Sequence, residues 1–221
     1  MMKDSMDLII DYPSKIASML LENEIDVGLV PVAIIPEMKE HYIISEYCIG
    51  SVGAVASVCL FSEVPMDEIK TVLLDYQSRT SVALLKVLIK DHWKINVVFE
   101  NTSGDYQSKI SGTTAGLVIG DRALAQRKIS SYIFDLGLEW KKFTGLPFVF
   151  AAWVSNKKLD EDFIKRFNEA NAFGLHQLEE VVKENPYEIF DLHHYYRDCI
   201  SFNLDEKKRK GLEFFLETLI K

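Results

Sequence analysis

Apolar runs of strand length alternate with helical patterns through the first two thirds of this sequence. Residues 25–32 (IDVGLVPV), 71–75 (TVLLD) and 116–119 (GLVI) are short and almost wholly apolar, which is typical of strands buried on both faces. Residues 7–12 (DLIIDY) predict one more strand, directly before the first helical pattern. A strand, a helix and a second strand form a crossover unit, so the alternation predicts an α/β fold with a mostly parallel sheet.

Two apolar runs, residues 57–61 and 148–154, are long enough to pass between two lobes. A self-contained α/β segment lies between them, and helical patterns close the chain. We therefore predict one lobe made of residues 1–64 and 148–221, with a second lobe, residues 65–147, inserted into it. Two lobes joined by two strands form a hinged clamp, whose ligand is expected in the cleft.

The charge of the chain limits the partners it can bind. Its 221 residues have a formal net charge of -8, which disfavours a general attraction to nucleic acid or to an anionic membrane. No apolar run approaches the ~20 residues of a membrane span, and the first residues lack the pattern of a signal peptide. The three cysteines suit a reducing compartment. We expect a cytoplasmic protein, monomeric or homodimeric, whose partner is a small molecule.

The strongest candidate site follows residues 71–75, where the chain passes directly into a helical pattern. Hydroxyls and an arginine stand at the start of that pattern, at Ser78, Arg79, Thr80 and Ser81. Free N–H groups and the positive end of the helix dipole favour an anion there, and the Arg79 fork suits a carboxylate. The alternative is structural, with Ser78 or Thr80 as the N-cap and Arg79 as a surface charge.

Glycine and serine residues supply two further candidate walls for a ligand. Ser51, Gly53 and Ser57 combine a flexible backbone with hydroxyls that can orient a substrate. Gly120 and Asp121 follow the GLVI strand at the end where open α/β sheets bind ligands. Simpler interpretations are a turn before a strand for the first group and helix capping for Asp121.

The histidines and cysteines do not form a recognisable set of metal ligands. His193 and His194 are adjacent, and adjacent helical residues point ~100° apart, so they seldom share one ion. The sequence contains no Walker loop, dinucleotide-binding glycine motif, nucleophile elbow or zincin motif. We therefore expect no metal and no cofactor, and the sequence identifies no catalytic acid, base or nucleophile.

Longer segments carry a resemblance to a known family. They are residues 26–36 (DVGLVPVAIIP), 48–62 (CIGSVGAVASVCLFS), 73–88 (LLDYQSRTSVALLKVL), 116–124 (GLVIGDRAL) and 135–153 (DLGLEWKKFTGLPFVFAAW). In these segments, taken in this order, the chain resembles the chorismate dehydratases of menaquinone biosynthesis by the futalosine route. The resemblance implies a two-lobed periplasmic-binding-protein-like fold of type II, with substrate in the cleft. It also implies conversion of chorismate to 3-[(1-carboxyvinyl)oxy]benzoate by loss of water.

A sister family that makes 1,4-dihydroxy-6-naphthoate is similar in fold. It is expected to carry Ile-His-Glu where this sequence has Ile119, Gly120 and Asp121, so the difference favours the dehydratase. The dehydratases open with a strand and a Ser-Tyr-x-Asn segment, and this chain is expected to begin at the family's second strand. The alternatives from another class are a non-catalytic protein that binds a small carboxylate and a degenerate homologue.

Overall fold

The computed structural model describes residue 2 and residues 5–220. The strands are β1 Val27–Pro31, β2 Tyr42–Ser51, β3 Val58–Ser62, β4 Thr71–Leu74, β5 Val98–Asn101, β6 Thr114–Ile119, β7 Tyr132–Asp135, β8 Phe148–Ser155 and β9 Ser201–Asn203. The α-helices are α1 Pro13–Leu21, α2 Arg79–Val87, α3 Asp121–Gln126, α4 Leu136–Thr144, α5 Glu161–His176, α6 Leu178–Glu184, α7 Leu192–His194 and α8 Glu206–Ile220. Segments of 3₁₀ helix lie at Val32–Glu37, Met66–Glu68 and Gln107–Lys109, and segments of π-helix lie at Leu88–Trp93 and Tyr195–Cys199.

Two sheets form the framework. The four-stranded sheet has the order β1-β8-β2-β9, and its pairs are antiparallel. The five-stranded sheet has the order β5-β4-β6-β3-β7, in which β4 runs parallel to β5 and β6 while β3 runs antiparallel to β6 and β7. The α/β prediction is confirmed, but the prediction of a mostly parallel sheet is wrong. β1 and β2 run in the same direction, and β8 from far along the chain lies between them.

The two runs expected to pass between lobes are strands, and each pairs within one sheet. β3 pairs with β6 and β7, whereas β8 pairs with β1 and β2. The connections between the sheets are irregular segments that precede these strands, residues 52–57 and 145–147. Ala56 has a φ of 62°, in the left-handed region, so the extended run of β2 does not continue into β3.

The division into a lobe of residues 1–64 plus 148–221 and an inserted lobe of residues 65–147 stays a prediction. β3 lies before residue 65, yet it pairs inside the five-stranded sheet. Buried apolar side chains of the two sheets belong to one cluster, which includes Val154 from β8 and Val72 from β4. The two sheets are therefore joined by side-chain packing as well as by the connecting segments.

Residues 7–12 were expected to form a strand, and that prediction is wrong. The segment is irregular, and Leu8 and Ile10 are exposed. An isolated strand leaves its backbone N–H and C=O groups without partners, and no strand pairs with this segment in the described part of the chain. α1 then begins at Pro13, whose fixed φ suits the first turn of a helix.

Aromatic packing holds α4, β8 and α8 together. Trp140 lies edge-on to Phe148 with ring centroids 5.2 Å apart, and Phe148 lies edge-on to Phe215 at 4.9 Å. All three side chains are buried. The Trp140 indole N–H donates to the carbonyl of Pro147 at 3.3 Å, so the polar edge of this buried ring is also satisfied.

Gly211 marks the closest approach of α8 to the segment before β8, because an added Cβ would overlap the carbonyl oxygen of Pro147. We expect Gly211→Ala to lower the free energy of unfolding by ~1–3 kcal/mol, since the backbone must shift to relieve the overlap. The control is Gly174→Ala in α5, where the added Cβ has no heavy atom within 4 Å. That change should stabilise the helix by up to ~1 kcal/mol. Urea denaturation measures both, and equal effects would contradict the packing described.

Candidate functional site

The start of α2 lies at the carboxyl end of β4. Ser78 is its N-cap: the Oγ accepts a hydrogen bond from the Ser81 N–H at 3.1 Å and donates to the Ser81 Oγ at 2.8 Å. Ser78 therefore caps the N-terminus of α2, which was the structural alternative given for this residue from the sequence. The N–H groups of Arg79 and Thr80 lie in the first turn, where no carbonyl of the helix can accept from them. They are the donors that this helix start offers to an anion.

The side chains of Thr80 and Arg79 contact residues from the first part of the chain. Thr80 is buried, and its Oγ1 accepts a hydrogen bond from the N–H of Ala33 at 3.1 Å. Arg79 Nη1 lies 3.6 Å from Glu37 Oε2, and Nη2 donates to Ser18 Oγ at 3.4 Å. Both contacts of Arg79 are long and its side chain is 39% exposed, so the guanidinium is weakly held.

Arg79 also lines a groove of about 680 Å³ between α2 and α8. Lys86 and Lys90 add positive charge to the groove, and Glu37 and Asp91 add negative charge. The mixture of signs gives this groove no clear preference for an anion.

Asp75 follows β4 and begins the segment Asp75–Ser81 that the sequence singled out, and its side chain is the centre of a hydrogen-bond network with partners that local sequence does not indicate. Its side chain is 0% exposed, and it accepts hydrogen bonds from the Tyr106 hydroxyl and the Gln77 N–H, each at 2.8 Å. Arg122 Nη2 donates to both carboxylate oxygens, at 2.8 and 3.1 Å, and to Gln77 Oε1 at 2.8 Å. Burial raises the pKa of Tyr106, and the negative charge of the nearby Asp75 raises it further, so the Tyr106 hydroxyl stays protonated and donates. A buried carboxylate is costly without such partners, so the network fixes the chain after β4.

Gly120 and Asp121 lie at the carboxyl end of β6, next to the end of β4 in the sheet. Gly120 has a φ of +63° and is the N-cap of α3, and its N–H donates to the carbonyl of Ser57 at 2.8 Å. Asp121 is therefore the first residue of the helix and not its cap. Its side chain is exposed, and its carbonyl accepts a long hydrogen bond of 3.5 Å from the Tyr187 hydroxyl.

Ser51 ends β2 and Ser57 immediately precedes β3. The Ser51 Oγ is buried and has no hydrogen-bond partner within residue 2 and residues 5–220. It lies against Gly137, where an added Cβ would come within 2.6 Å of this oxygen and of the Gly53 carbonyl. The Ser57 Oγ shares a hydrogen bond of 2.7 Å with the Tyr195 hydroxyl, 138 residues further along the chain. Burial raises the pKa of Tyr195 to about 12, so its hydroxyl is protonated at neutral pH.

Asp135 holds the turn between β2 and β3 in place. It is the N-cap of α4 and accepts a hydrogen bond from the Leu138 N–H at 3.1 Å. The same carboxylate accepts from the Val55 N–H at 3.0 Å and the Ala56 N–H at 2.7 Å. Burial, and next the nearby Asp135, raise the pKa of the Cys59 thiol, so this cysteine is not an activated nucleophile. The turn that forms one candidate wall is thus anchored to α4.

Arg122 links the two groups of residues that the sequence singled out. It follows Gly120, which bonds to Ser57, and it contacts Gln77, which directly precedes the cap of α2. The sequence signal for Arg122 is its position. The carboxyl ends of neighbouring parallel strands meet at one edge of a sheet, and one acidic and one basic residue follow those ends. Asp75 and Arg122 fit that rule.

In the described part of the chain, no group of three or more His, Cys, Asp or Glu side chains is arranged to hold a metal ion. None of the described helices is long and apolar enough to span a bilayer. The candidate site is built from hydroxyls, backbone N–H groups and a pair of charges.

The fold is shared with proteins of known structure. A protein from Archaeoglobus fulgidus superimposes with a TM-score of 0.69 at 14% identity, covering 96% of this chain and 84% of that one. The periplasmic aliphatic sulphonate binding protein SsuA from Escherichia coli gives a TM-score of 0.52 at 12% identity, covering 95% and 80%. The chain therefore has a periplasmic-binding-protein-like fold, as the family resemblance implied.

The sequence identifies the family within that fold. The profile of a family described as menaquinone biosynthesis matches residues 1–221, and the chain belongs to this family. It is 28% identical over 231 aligned residues to the chorismate dehydratase of Thermus thermophilus, a match that covers 94% of this chain and 84% of that protein. The family expected from the quoted segments is confirmed.

Tyr195→Phe tests the link between Ser57 and the C-terminal part of the chain. The change removes the hydroxyl bonded to Ser57, so we expect the free energy of unfolding to fall by ~1 kcal/mol. Tyr196→Phe is the matched control, because this side chain is also half-buried and its hydroxyl has no hydrogen-bond partner among the described residues. The control should change stability by less than ~0.5 kcal/mol. Equal losses in thermal or urea unfolding would show that the bond to Ser57 contributes nothing.

Proposed function

We propose that this protein is a chorismate dehydratase of menaquinone biosynthesis by the futalosine route. It would be a carbon–oxygen lyase that converts chorismate to 3-[(1-carboxyvinyl)oxy]benzoate. The observation that carries the proposal is the match to the Thermus thermophilus chorismate dehydratase over 94% of this chain. Membership of the menaquinone biosynthesis family over residues 1–221 agrees with it. The donors at the start of α2 add support, because they suit an anionic substrate.

The reaction removes the hydrogen at C3 of chorismate and the hydroxyl at C4 as one molecule of water. The electron pair of the C3–H bond forms the new ring double bond while the C4–O bond breaks, and the ring becomes aromatic. Aromatisation supplies the driving force, so the protein mainly has to orient the substrate and place charge around it. We assign the proton from C3 to a carboxylate of the substrate itself, held close to that carbon. The departing hydroxide takes up this proton from the carboxylate and leaves as water, so the carboxylate is regenerated and no net proton is released or consumed.

One substrate carboxylate binds at the start of α2 in this proposal. The N–H groups of Arg79 and Thr80 donate to it, and Ser78 and Ser81 hold the turn that presents them. The Arg79 guanidinium turns toward the same carboxylate. Its present contact with Glu37, 3.6 Å long, is weak enough to exchange for a charge-assisted hydrogen bond.

The second carboxylate is oriented by the other candidate walls. Ser51 and Ser57 provide hydroxyls, and Gly53 and Gly120 allow the substrate to approach the backbone closely. The buried Ser51 Oγ supports this assignment, since it has no partner in the described part of the chain. Asp121 lies at the rim of this region, exposed at the end of β6.

A non-catalytic protein that binds a small carboxylate is the second candidate. The hydroxyls of Ser57, Ser78 and Thr80 already bond to protein groups, which favours a rigid binding site over groups free to react. A degenerate homologue of the dehydratases would behave in the same way. Both would bind chorismate without forming product.

The direct test is to incubate the 221-residue protein with chorismate and follow the products by liquid chromatography and mass spectrometry. We expect an aromatic enol ether lighter than chorismate by one water. A sample without protein is needed, because chorismate decomposes on its own. Stabilisation by chorismate without product would support the second candidate. If chorismate gives no product and no stabilisation, both candidate functions are contradicted.

The proposed role of the α2 start is tested by Arg79→Ala and Thr80→Ala. Arg79→Ala removes the guanidinium from the carboxylate site. Thr80→Ala keeps the backbone N–H but removes the hydroxyl that bonds the first turn of α2 to Ala33. We expect kcat/KM for chorismate to fall at least about tenfold in each variant. Lys183→Ala is the control, because this exposed residue of α6 only pairs with Glu180. Circular dichroism establishes that the variants fold. Near-wild-type rates in both site variants would contradict the assignment of a substrate carboxylate to the start of α2.

A further inference from the structure

Arg122 is held more firmly than Arg79, the arginine of the proposed carboxylate site. Its Nη2 makes three hydrogen bonds, two to Asp75 and one to Gln77, at 2.8–3.1 Å. The guanidinium also lies 5.4 Å from the centre of the Tyr76 ring and 6.0 Å from that of Tyr106. Arg79, in contrast, makes only contacts of 3.4 Å or longer. Arg122 is thus oriented before any ligand arrives.

The orientation of Arg122 leaves hydrogen-bond donors free. All three bonds use Nη2, and within the described part of the chain the Nε and Nη1 N–H groups have no hydrogen-bond partner. A guanidinium has five donors in a rigid fork that matches a carboxylate. The Asp75 side chain is 0% exposed and that of Arg122 is 28% exposed, so the cation faces solvent and the acid lies behind it.

Arg122 also stands where a ligand is expected. β4 and β6 are neighbouring parallel strands, and Asp75 and Arg122 follow their carboxyl ends. One partner of Arg122 is Gln77, which directly precedes the Ser78 cap of α2. Gly120, two residues before Arg122, donates its N–H to the Ser57 carbonyl. Arg122 is therefore linked to the start of α2 by a side-chain hydrogen bond and to Ser57 through the backbone of Gly120. Ligands of open α/β sheets bind at this edge.

We propose that Arg122 binds a carboxylate of the substrate through its free N–H groups, and that Asp75 is the positioning residue that aims it. This inference rests on the proposed function, because it takes the substrate to be a dicarboxylate such as chorismate. Gln77 completes the alignment from the side of α2. The Asp75–Arg122 pair also explains why an aspartate is tolerated at a fully buried position.

Arg122→Lys is the first test. Lysine keeps a positive charge beside Asp75, which protects the fold, but it loses the fork that bonds to Asp75 and to a carboxylate together. We expect KM for chorismate to rise at least about tenfold with a smaller change in kcat, since a bidentate charge-assisted contact is lost from binding. Arg166→Lys is the control: this exposed arginine of α5 bonds to Asp162 at 3.0 Å and should leave KM within about twofold.

Gln77→Ala is the second variant, because it removes one partner of Arg122 and leaves the buried pair intact. We expect it to weaken binding about threefold, as a single hydrogen bond that orients the guanidinium is lost. Binding without turnover is followed by the rise in unfolding temperature that chorismate produces. If Arg122→Lys does not fold, unchanged affinity and KM in Gln77→Ala overturn the proposal.

The two measurements separate this inference from the proposed function. If the wild type forms product and Arg122→Lys keeps its KM, the role of Arg122 is wrong and the dehydratase assignment stands. If the wild type binds chorismate without product and Arg122→Lys loses that binding, the role of Arg122 stands and the dehydratase assignment is wrong. If the wild type neither binds chorismate nor forms product, both are wrong.

Discussion

The hydrogen bonds made by the Asp75 carboxylate hold together the part of the molecule on which the candidate site depends. A side chain that is 0% exposed and charged must have its partners in the protein, and here they come from the segment after β4, from Tyr106 and from α3. Each partner fixes one segment at the edge of the five-stranded sheet. The start of α2 and the end of β6 therefore keep their relative positions through one buried acid. Rigid placement of donors is what binding a carboxylate requires.

Asp135 plays the corresponding role for the other wall. It caps α4 and accepts N–H groups from the turn between β2 and β3, where Ala56 is in the left-handed region. This turn joins the two sheets, and Ser57 at its end bonds to Gly120 and to Tyr195. Two buried acids, one behind each wall, thus hold the backbone of the candidate site in place. The acids themselves face protein groups, so we assign them to positioning and not to proton transfer.

Local sequence patterns predicted the elements well and their assembly less well. The buried strands β4, β6 and β8 and the capped start of α2 are visible because their signals, apolar runs and a serine cap, are local. Residues 7–12 have a strand-like composition but no partner strand, and pairing is not a local property. Tyr195 was missed because its contact with Ser57 spans 138 residues. Arg122 looks like any charge on a short helix until the register of β4 against β6 places it beside Asp75.

The most direct test of this account is a crystal structure of the protein with 3-[(1-carboxyvinyl)oxy]benzoate bound. We expect a ligand carboxylate within ~3 Å of the Arg122 guanidinium at the shared edge of β4 and β6, close to the Thr80 N–H. It also predicts that the bonds between Asp75 and Arg122 stay as they are. A ligand seated in the groove between α2 and α8, with Arg122 still bonded only to Asp75 and Gln77, would contradict it.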